Sequence, residues 1–258
     1  MSVDSRLHED GVAVVTIDRQ EALNALDLAT LTELRDRLRE LAEDVGVHVV
    51  VLTGAGEKAF AAGADIKYMS GLGVEEAKAW GALGHEAARL LETMPKATIA
   101  AVNGFALGGG CELALACDIR FAARTAKLGQ PEINLAIMPG WGGSQRLARA
   151  TTLGFAKELI FTGRNVDAEE AERRGLVNAV FEPDELMEKT LETARVIAAK
   201  SPVALAAAKA ACNLALQGDH WANLDDEANR FGELFASADA KEGMAAFVEK
   251  REPRFVGR

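Results

Sequence analysis

Apolar positions along the chain fall into two alternating rhythms. Val12 to Ile17 (VAVVTI) is short and β-branched, which predicts a buried strand. NALD (Asn24 to Asp27) follows. Then Leu28, Leu31, Leu34, Leu38, Leu41 and Val45, spaced by threes and fours, predict one helix stripe capped by Asp27 and ended by Gly46. His48 to Thr53 (HVVVLT) predicts a second buried strand, broken by Gly54-Ala55-Gly56. AFAAGADI (Ala59 to Ile66) begins strand-like and turns at Gly63. Val74 to Met94 reads as a helix stopped by Pro95, and Thr98 to Asn103 as another strand. A turn at Gly104 leads to Gly108-Gly109-Gly110 and an apolar helix to about Cys117. Asp118 to Ala122 returns to strand.

Strand and helix alternate down to about Phe181. From Glu182 onward the pattern is helical only, with breaks at Ser201-Pro202 and Gly218-Asp219. The rhythm predicts an α/β core over residues 1–181 that carries any site, followed by a C-terminal all-helical region over 182–258. No internal repeat or low-complexity segment stands out. No segment reaches the roughly eighteen unbroken apolar residues of a membrane span.

Composition narrows the function classes. The chain has 258 residues, 49% apolar and 26% charged, as an ordinary globular protein has. Its net charge is −10, from 39 acids against 29 bases, which argues against nucleic acid or an anionic membrane surface as the main partner. Cys111, Cys117 and Cys212 are an odd count without a Cys-x-x-Cys pair. His8, His48, His85 and His220 are scattered, and His85-Glu86 lacks the second histidine of a zinc protease. The start, MSVDSRLHEDG, does not read as a signal peptide. The expectation is a reduced, cytoplasmic protein with no metal site.

The chemistry concentrates in FALGGGCELALACDIRFAA (Phe105 to Ala123), where three glycines precede a lone acid, Glu112. A helix begins with unpaired N–H groups at the positive end of its dipole, and glycine lets another molecule touch that backbone. On these residues alone, two readings stand: close helix–strand packing, or a site for an oxyanion beside a general acid or base. A phosphate loop and a dinucleotide fingerprint are both absent. A second acid, Glu132, follows Pro131 in GQPEINLAIMPGWGGSQR (Gly129 to Arg146), just before another glycine-rich turn. Ser144 is no nucleophile elbow, because Arg146 stands where the motif needs glycine. Ala62-Gly63-Ala64-Asp65 is an earlier turn that offers a further backbone donor.

Taken together these stretches resemble the crotonase, or enoyl-CoA hydratase, superfamily. The resemblance runs through NALD, AFAAGADIKYM, AAVNGFALGGGCELALACDIRFAA, GQPEINLAIMPGWGGSQRL, FTGRNVDAEEAERRGLVNAV and KEGMAAFVEKR, in that order. It implies a spiral of ββα units, with the helical region at 182–258 building trimers that pair into hexamers. It implies acyl-CoA thioesters as substrates, CoA being part of the substrate, and no separate cofactor. An oxyanion hole would be formed by the N–H groups of Ala64 and Gly109.

The resemblance also assigns the acids. Glu112 and Glu132 match the two glutamates of the hydratases, which add water across the C2–C3 bond of a trans-2-enoyl-CoA. The isomerase branch keeps one acid in this role, and the dehalogenases use histidine and aspartate. Ala62, Asp65, Ile66 and Lys67 fall in the region that meets pantetheine and adenine, and Gly140 and Trp141 beside the acyl group. Phe231, Phe247 and Lys250 match C-terminal residues that approach the CoA nucleotide. The segment Lys67 to Ala88 is expected to line the acyl pocket. The competing readings are an enoyl-CoA isomerase, a hydratase for branched or dicarboxylic acyl chains, and a crotonase-fold RNA-binding protein. Absence of a gel shift on generic RNA at low salt would remove the last.

Overall fold

The computed structural model describes residues 2–258. Its frame is a six-stranded sheet in the order β1 (Val3–Leu7), β2 (Val12–Ile17), β3 (Val49–Gly54), β5 (Ala97–Val102), β7 (Ile119–Ala123), β10 (Ala179–Phe181). All neighbours are parallel except the β1–β2 pair. β3 is buried along its whole length, as its unbroken apolar run requires of a strand covered on both faces. Val50 and Leu52 point into the main core, and Val49 and Val51 into a second core on the opposite face.

A second, four-stranded sheet runs β4 (Ala59–Ala61), β6 (Phe105–Leu107), β8 (Lys127–Gly129), β9 (Asn165–Asp167). The chain alternates between the two sheets and then enters a helix. β3 and β4 lead through the short α2 (Ile66–Met69) to α3 (Val74–Thr93), and β5 and β6 lead to α4 (Gly109–Ala116). β7 and β8 lead to a 3₁₀ turn (Pro131–Leu135), α5 (Gly143–Ala150) and α6 (Leu153–Thr162). This is the ββα spiral, and it aligns β4, β6 and β8 as parallel neighbours.

α1 (Leu28–Glu43) buries Leu31, Leu34, Leu38 and Leu41, and Asp27 caps it by accepting from Thr30 N at 2.8 Å. The expected stripe is too long by one member at each end: Leu28 opens the helix but is 45% exposed. Asp44 leaves the helix and its Oδ1 accepts from Gly46 N at 2.8 Å, so Val45 sits in a turn and is 95% exposed. β1 carries no apolar pattern, since only Val3 of its side chains is buried. It forms by backbone pairing to β2.

Beyond Phe181 the chain is helical, as its pattern predicts. After α7 (Ala168–Arg173) and β10 come α8 (Leu186–Ala198), α9 (Pro202–Leu214), α10 (His220–Leu234) and α11 (Ala238–Glu249). α8 covers the outer face of the large sheet with Leu186 and Ala194. α9 is pinned to the core by Lys209, whose Nζ donates to the carbonyls of Leu91 and Lys96 at 2.8 and 2.9 Å and pairs with Asp118 at 2.9 Å. Asn213 donates to Glu92 O at 2.8 Å. A break at Ser237, which caps α11, has no Pro or Gly to announce it. Among the described residues, no helix is long and apolar enough to cross a membrane.

Candidate active site

The ends of β4, β6 and β8 deliver three segments to one place. β4 runs out into Ala62-Gly63-Ala64, β6 into the glycine triplet, and β8 into Gln130-Pro131-Glu132. In parallel α/β sheets such strand ends are where ligands bind.

The three glycines answer three different constraints. Gly108 has φ +49°, and a Cβ there would stand 2.9 Å from Glu132 Oε1 and 3.9 Å from the Cα of Gly63. A Cβ on Gly109 would collide with the ring of Trp141, and one on Gly110 with the carbonyl oxygen of Ala61. The close-packing reading of the triplet therefore holds. It packs α4 tightly against its neighbours, and it leaves the backbone bare between Glu132 and Gly63.

Glu112 lies in the first turn of α4 and is only 2% exposed. Its Oε1 accepts from Trp141 N and Gly143 N, both at 2.7 Å. Burial pushes its pKa up, and these two bonds with the nearby Arg146 guanidinium pull against that shift. Arg146 also donates to Trp141 O at 2.8 Å and to Glu92 at 2.7 Å, which fixes the turn.

Glu132 opens the 3₁₀ turn after Pro131. Its pKa is raised to about 7, chiefly by burial and further by the negative charge of Glu112. Gln130 is fully buried beside it. With its amide nitrogen turned toward the acid, Gln130 stands 2.9 and 3.3 Å from the two carboxyl oxygens. The structure thus brings Glu112 and Glu132 together in one low-dielectric site, and two coupled carboxyls whose charge is disfavoured hold a proton near neutrality. Cys111 lies against the same pair, and burial with both acids pushes its thiol up to about 12, so it is inert at neutral pH.

Two backbone donors stand at these strand ends. Leu26 and Ala64 form an isolated parallel bridge in which Leu26 N donates to Gly63 O at 2.8 Å and Asp65 N donates to Leu26 O at 2.9 Å. The N–H of Ala64 therefore points away from Leu26. Among the described residues no backbone acceptor takes it, nor the N–H of Gly109, the first residue of α4.

The remaining expected positions divide. Trp141 is buried, wedged between Gly84 of α3 and Gly109, with its ring edge-to-face on Trp80 at 5.2 Å; Trp80 meets Tyr68 in the same way at 5.4 Å. The Lys67–Ala88 segment thus supplies the aromatic packing beside the acids. Gly140 is exposed, with open space where a Cβ would stand. Ala62 N donates to Leu23 O at 3.0 Å, while Ile66 and Lys67 lie exposed on α2. The Asp65 carboxylate is occupied. It caps α2 through Lys67 N and Tyr68 N at 3.0 and 3.2 Å and pairs with Arg19 at 3.2 Å. Phe231, Phe247 and Lys250 are not brought to the glutamates within this chain. Phe231 lines a surface cavity of about 430 Å³ with Phe235, Met244 and Phe255, and Phe247 on α11 is 85% exposed.

Sequence reasoning missed Gln130, Gly84, Arg19, and the two donors to Glu112. Gln130, which directly precedes the Pro-Glu pair, and the two donors, which lie in the PGWGG turn, stood where a local pattern pointed.

This fold and site define a spiral α/β protein with a paired-carboxyl centre at its strand ends. The model of the enoyl-CoA hydratase/isomerase family matches residues 8–258, and the chain belongs to that family. It is 48% identical over 250 residues to the crotonyl-CoA hydratase of Syntrophomonas wolfei, covering 97% of this chain and 96% of that one. It is 51% identical over 244 residues to the short-chain-enoyl-CoA hydratase of Clostridium acetobutylicum, covering 95% and 94%. The crystal structure of an enoyl-CoA hydratase from Bacillus anthracis superposes with a TM-score of 0.97 at 41% identity, over all of both chains.

The raised pKa of Glu132 has a consequence for stability. Unfolded, this carboxyl ionises near its ordinary 4.5; folded, it keeps its proton to about 7. Between those values the folded state holds the extra proton, so this group's contribution to stability falls as pH rises, and the full penalty stands above about 7. Glu132→Gln removes an ionisation penalty of up to about 3 kcal/mol. Urea unfolding is expected to give a more stable variant at pH 8 and little difference at pH 4; an equal gain at both would refute the assignment.

Proposed function

We propose that this chain hydrates short-chain trans-2-enoyl-CoA thioesters to 3-hydroxyacyl-CoA. The observation that carries the reading is the Glu112–Glu132 pair at the start of α4, beside two unpartnered backbone donors. The names of the relatives support the acyl class.

In this reading the thioester oxygen accepts from the N–H groups of Ala64 and Gly109. Those donors act most strongly as the oxygen gains enolate charge, and each such donor is typically worth about two to three powers of ten in rate. Water is held between the acids. Its oxygen bonds to C3 while its proton passes to the ionised Glu112. The C2–C3 π electrons move toward the thioester, and C2 takes the proton of Glu132. Both new bonds form on the face that the carboxyls share, so addition is syn. The pair ends with its proton on Glu112, and return of that proton to Glu132 resets it. Glu132, whose pKa is raised to about 7, suits the donor, and Glu112, with two N–H groups on one oxygen, suits the base. No metal or redox group enters these steps. Two acids in place favour hydration over isomerisation, and the net charge of −10 favours an acyl-CoA enzyme over an RNA-binding protein.

Residues 182–258 are read as the trimerisation region, with trimers paired into a hexamer. α8 is used on the sheet, but α9 and α10 bury no residue within the chain, and Trp221 is 72% exposed. Such apolar faces mark burial between subunits. A neighbouring subunit would bring Phe231, Phe247 and Lys250 toward the CoA nucleotide. Cys212, exposed and free, fits a reducing cytoplasm.

Glu112→Gln and Glu132→Gln are each expected to lower kcat for trans-2-butenoyl-CoA by about two to four powers of ten with the fold intact. The wild-type rate is expected to fall as pH rises above about 7, when the pair loses its proton. Activity within tenfold of wild type in either variant would overturn the two-acid reading. Light scattering is expected to give a particle near six times 27.4 kDa, and a monomer at micromolar concentration would refute the assembly. The Trp141 ring, closing the space beside Gly140 and Gly109, sets acyl length in this reading. Trp141→Ala is expected to raise the kcat/KM of octenoyl-CoA relative to butenoyl-CoA by about tenfold or more, and an unchanged ratio would remove Trp141 from that role.

A further inference from the structure

The Asn24–Asp27 turn takes no part in the chemistry above, yet Ala64 rests on it. Gly63 O and Asp65 N, the groups on either side of Ala64, are both bonded to Leu26. The direction of the Ala64 N–H is thus set by where Leu26 stands. Asn24 seats the turn: its Nδ2 donates to the carbonyls of Ala55 and Ala59 at 3.0 and 2.7 Å, and its Oδ1 accepts from Arg19 N at 2.9 Å.

Arg19 then closes the arrangement from the side. Its Nη1 donates to Ala25 O at 2.7 Å. The same nitrogen stands 3.2 Å from Asp27 Oδ2, and Nη2 stands 3.2 Å from Asp65 Oδ2. Both aspartates are divided in the same way. Asp27 uses Oδ1 to cap α1 through Thr30 N, and Asp65 uses Oδ1 to cap α2 through Lys67 N and Tyr68 N. Each turns its second oxygen to the one guanidinium. Those bonds, with Arg19, hold the Asp65 carboxyl below its ordinary range. A planar fork meets two carboxylates and a carbonyl at once, which a single ammonium does poorly. Without it, two half-buried like charges would face each other across the turn that carries Leu26.

We propose that Arg19 is a positioning residue for the Ala64 donor. It ties the caps of α1 and α2 together and so holds Leu26, and through Leu26 the aim of the Ala64 N–H. The inference rests on the oxyanion role proposed for Ala64. A displacement of about 1 Å at a catalytic group costs up to a hundredfold in rate, whereas ground-state binding of an acyl-CoA depends on it less.

The test compares Arg19→Gln, Arg19→Lys, Asp65→Asn and Ala64→Pro in the full-length protein. The readouts are kcat with trans-2-butenoyl-CoA, Kd for butanoyl-CoA and the pH profile. Arg19→Gln is expected to lower kcat tenfold or more while Kd stays within threefold and the alkaline limb does not move. Arg19→Lys is expected to recover part of the loss. Asp65→Asn keeps the helix cap but weakens the hold on Arg19, and its loss is expected to be intermediate; if Arg19→Gln fails to fold, this variant decides. A kcat within twofold of wild type, or equal losses in kcat and Kd, would overturn the role of Arg19. Ala64→Pro deletes the donor itself. If that variant keeps full kcat, the oxyanion reading of Ala64 fails; if it is slow while Arg19→Gln is not, only the positioning role fails.

Discussion

The structure turns on one buried carboxylate. Glu112 is almost wholly withdrawn from water at the start of an apolar helix, where an unpaired charge would cost several kcal/mol. Two backbone N–H groups, from Trp141 and Gly143, both at 2.7 Å, are what make its ionised form tolerable. They belong to a different turn of the spiral. One pair of hydrogen bonds therefore fastens the N-terminus of α4 to that of α5, and Arg146 fastens the same turn to Glu92 on α3. Compensation is incomplete, since burial still wins and the pKa of Glu112 stays raised. An acid left in that state, beside a second acid held near 7, is suited to exchange a proton with a bound molecule.

The spacing of the motifs along the sequence follows from the spiral. Each turn spends one strand in the large sheet, one in the small sheet, and then a helix. Successive small-sheet strands are parallel neighbours, so their carboxyl ends fall side by side although a whole ββα unit separates them in sequence. β4 brings a backbone donor, β6 a donor and an acid, and β8 an acid with the amide of Gln130 beside it. The glycines are the condition for this convergence. A Cβ on Gly110 would strike β4 at Ala61, and one on Gly108 would come up against Glu132, so three neighbouring segments close only around bare backbone.

Much of this was legible in sequence because burial leaves a period. β3 and the Leu31–Leu41 stripe of α1 stand where their apolar rhythm puts them, and the strand-to-helix change at Phe181 is real. The misses have a common cause. β1 is an edge strand made by backbone pairing, Val45 fits the helical spacing but lies beyond an Asp44 turn, and the break at Ser237 rests on a side-chain cap. In each, local hydrogen bonding decided, and the hydrophobic pattern was silent or, at Val45, misleading. The site divides likewise. Glu112, Glu132 and the triplet were visible because acids and glycines are out of place in apolar runs. The donors to Glu112 were not, because a backbone N–H has no letter, and neither was the role of Arg19 at the Asn24–Asp27 turn, because its partners are spread from Ala25 to Asp65.

Trp141 serves the site through two separate parts of the same residue. Its backbone N–H holds Glu112, and its ring fills the cleft between Gly84 and Gly109 and meets Trp80 edge-to-face. Any residue except proline supplies the N–H, whereas only the side chain fills the space between Gly84 and Gly109. The support of Glu112 and the filling of the cleft are thus fixed at one position but not by the same atoms. The size of that side chain can change without removing the hydrogen bond that keeps Glu112 in place. The opposite holds at Gly109, where any side chain would strike the ring of Trp141. The turn residue can vary in size only because its helical neighbour has no side chain at all.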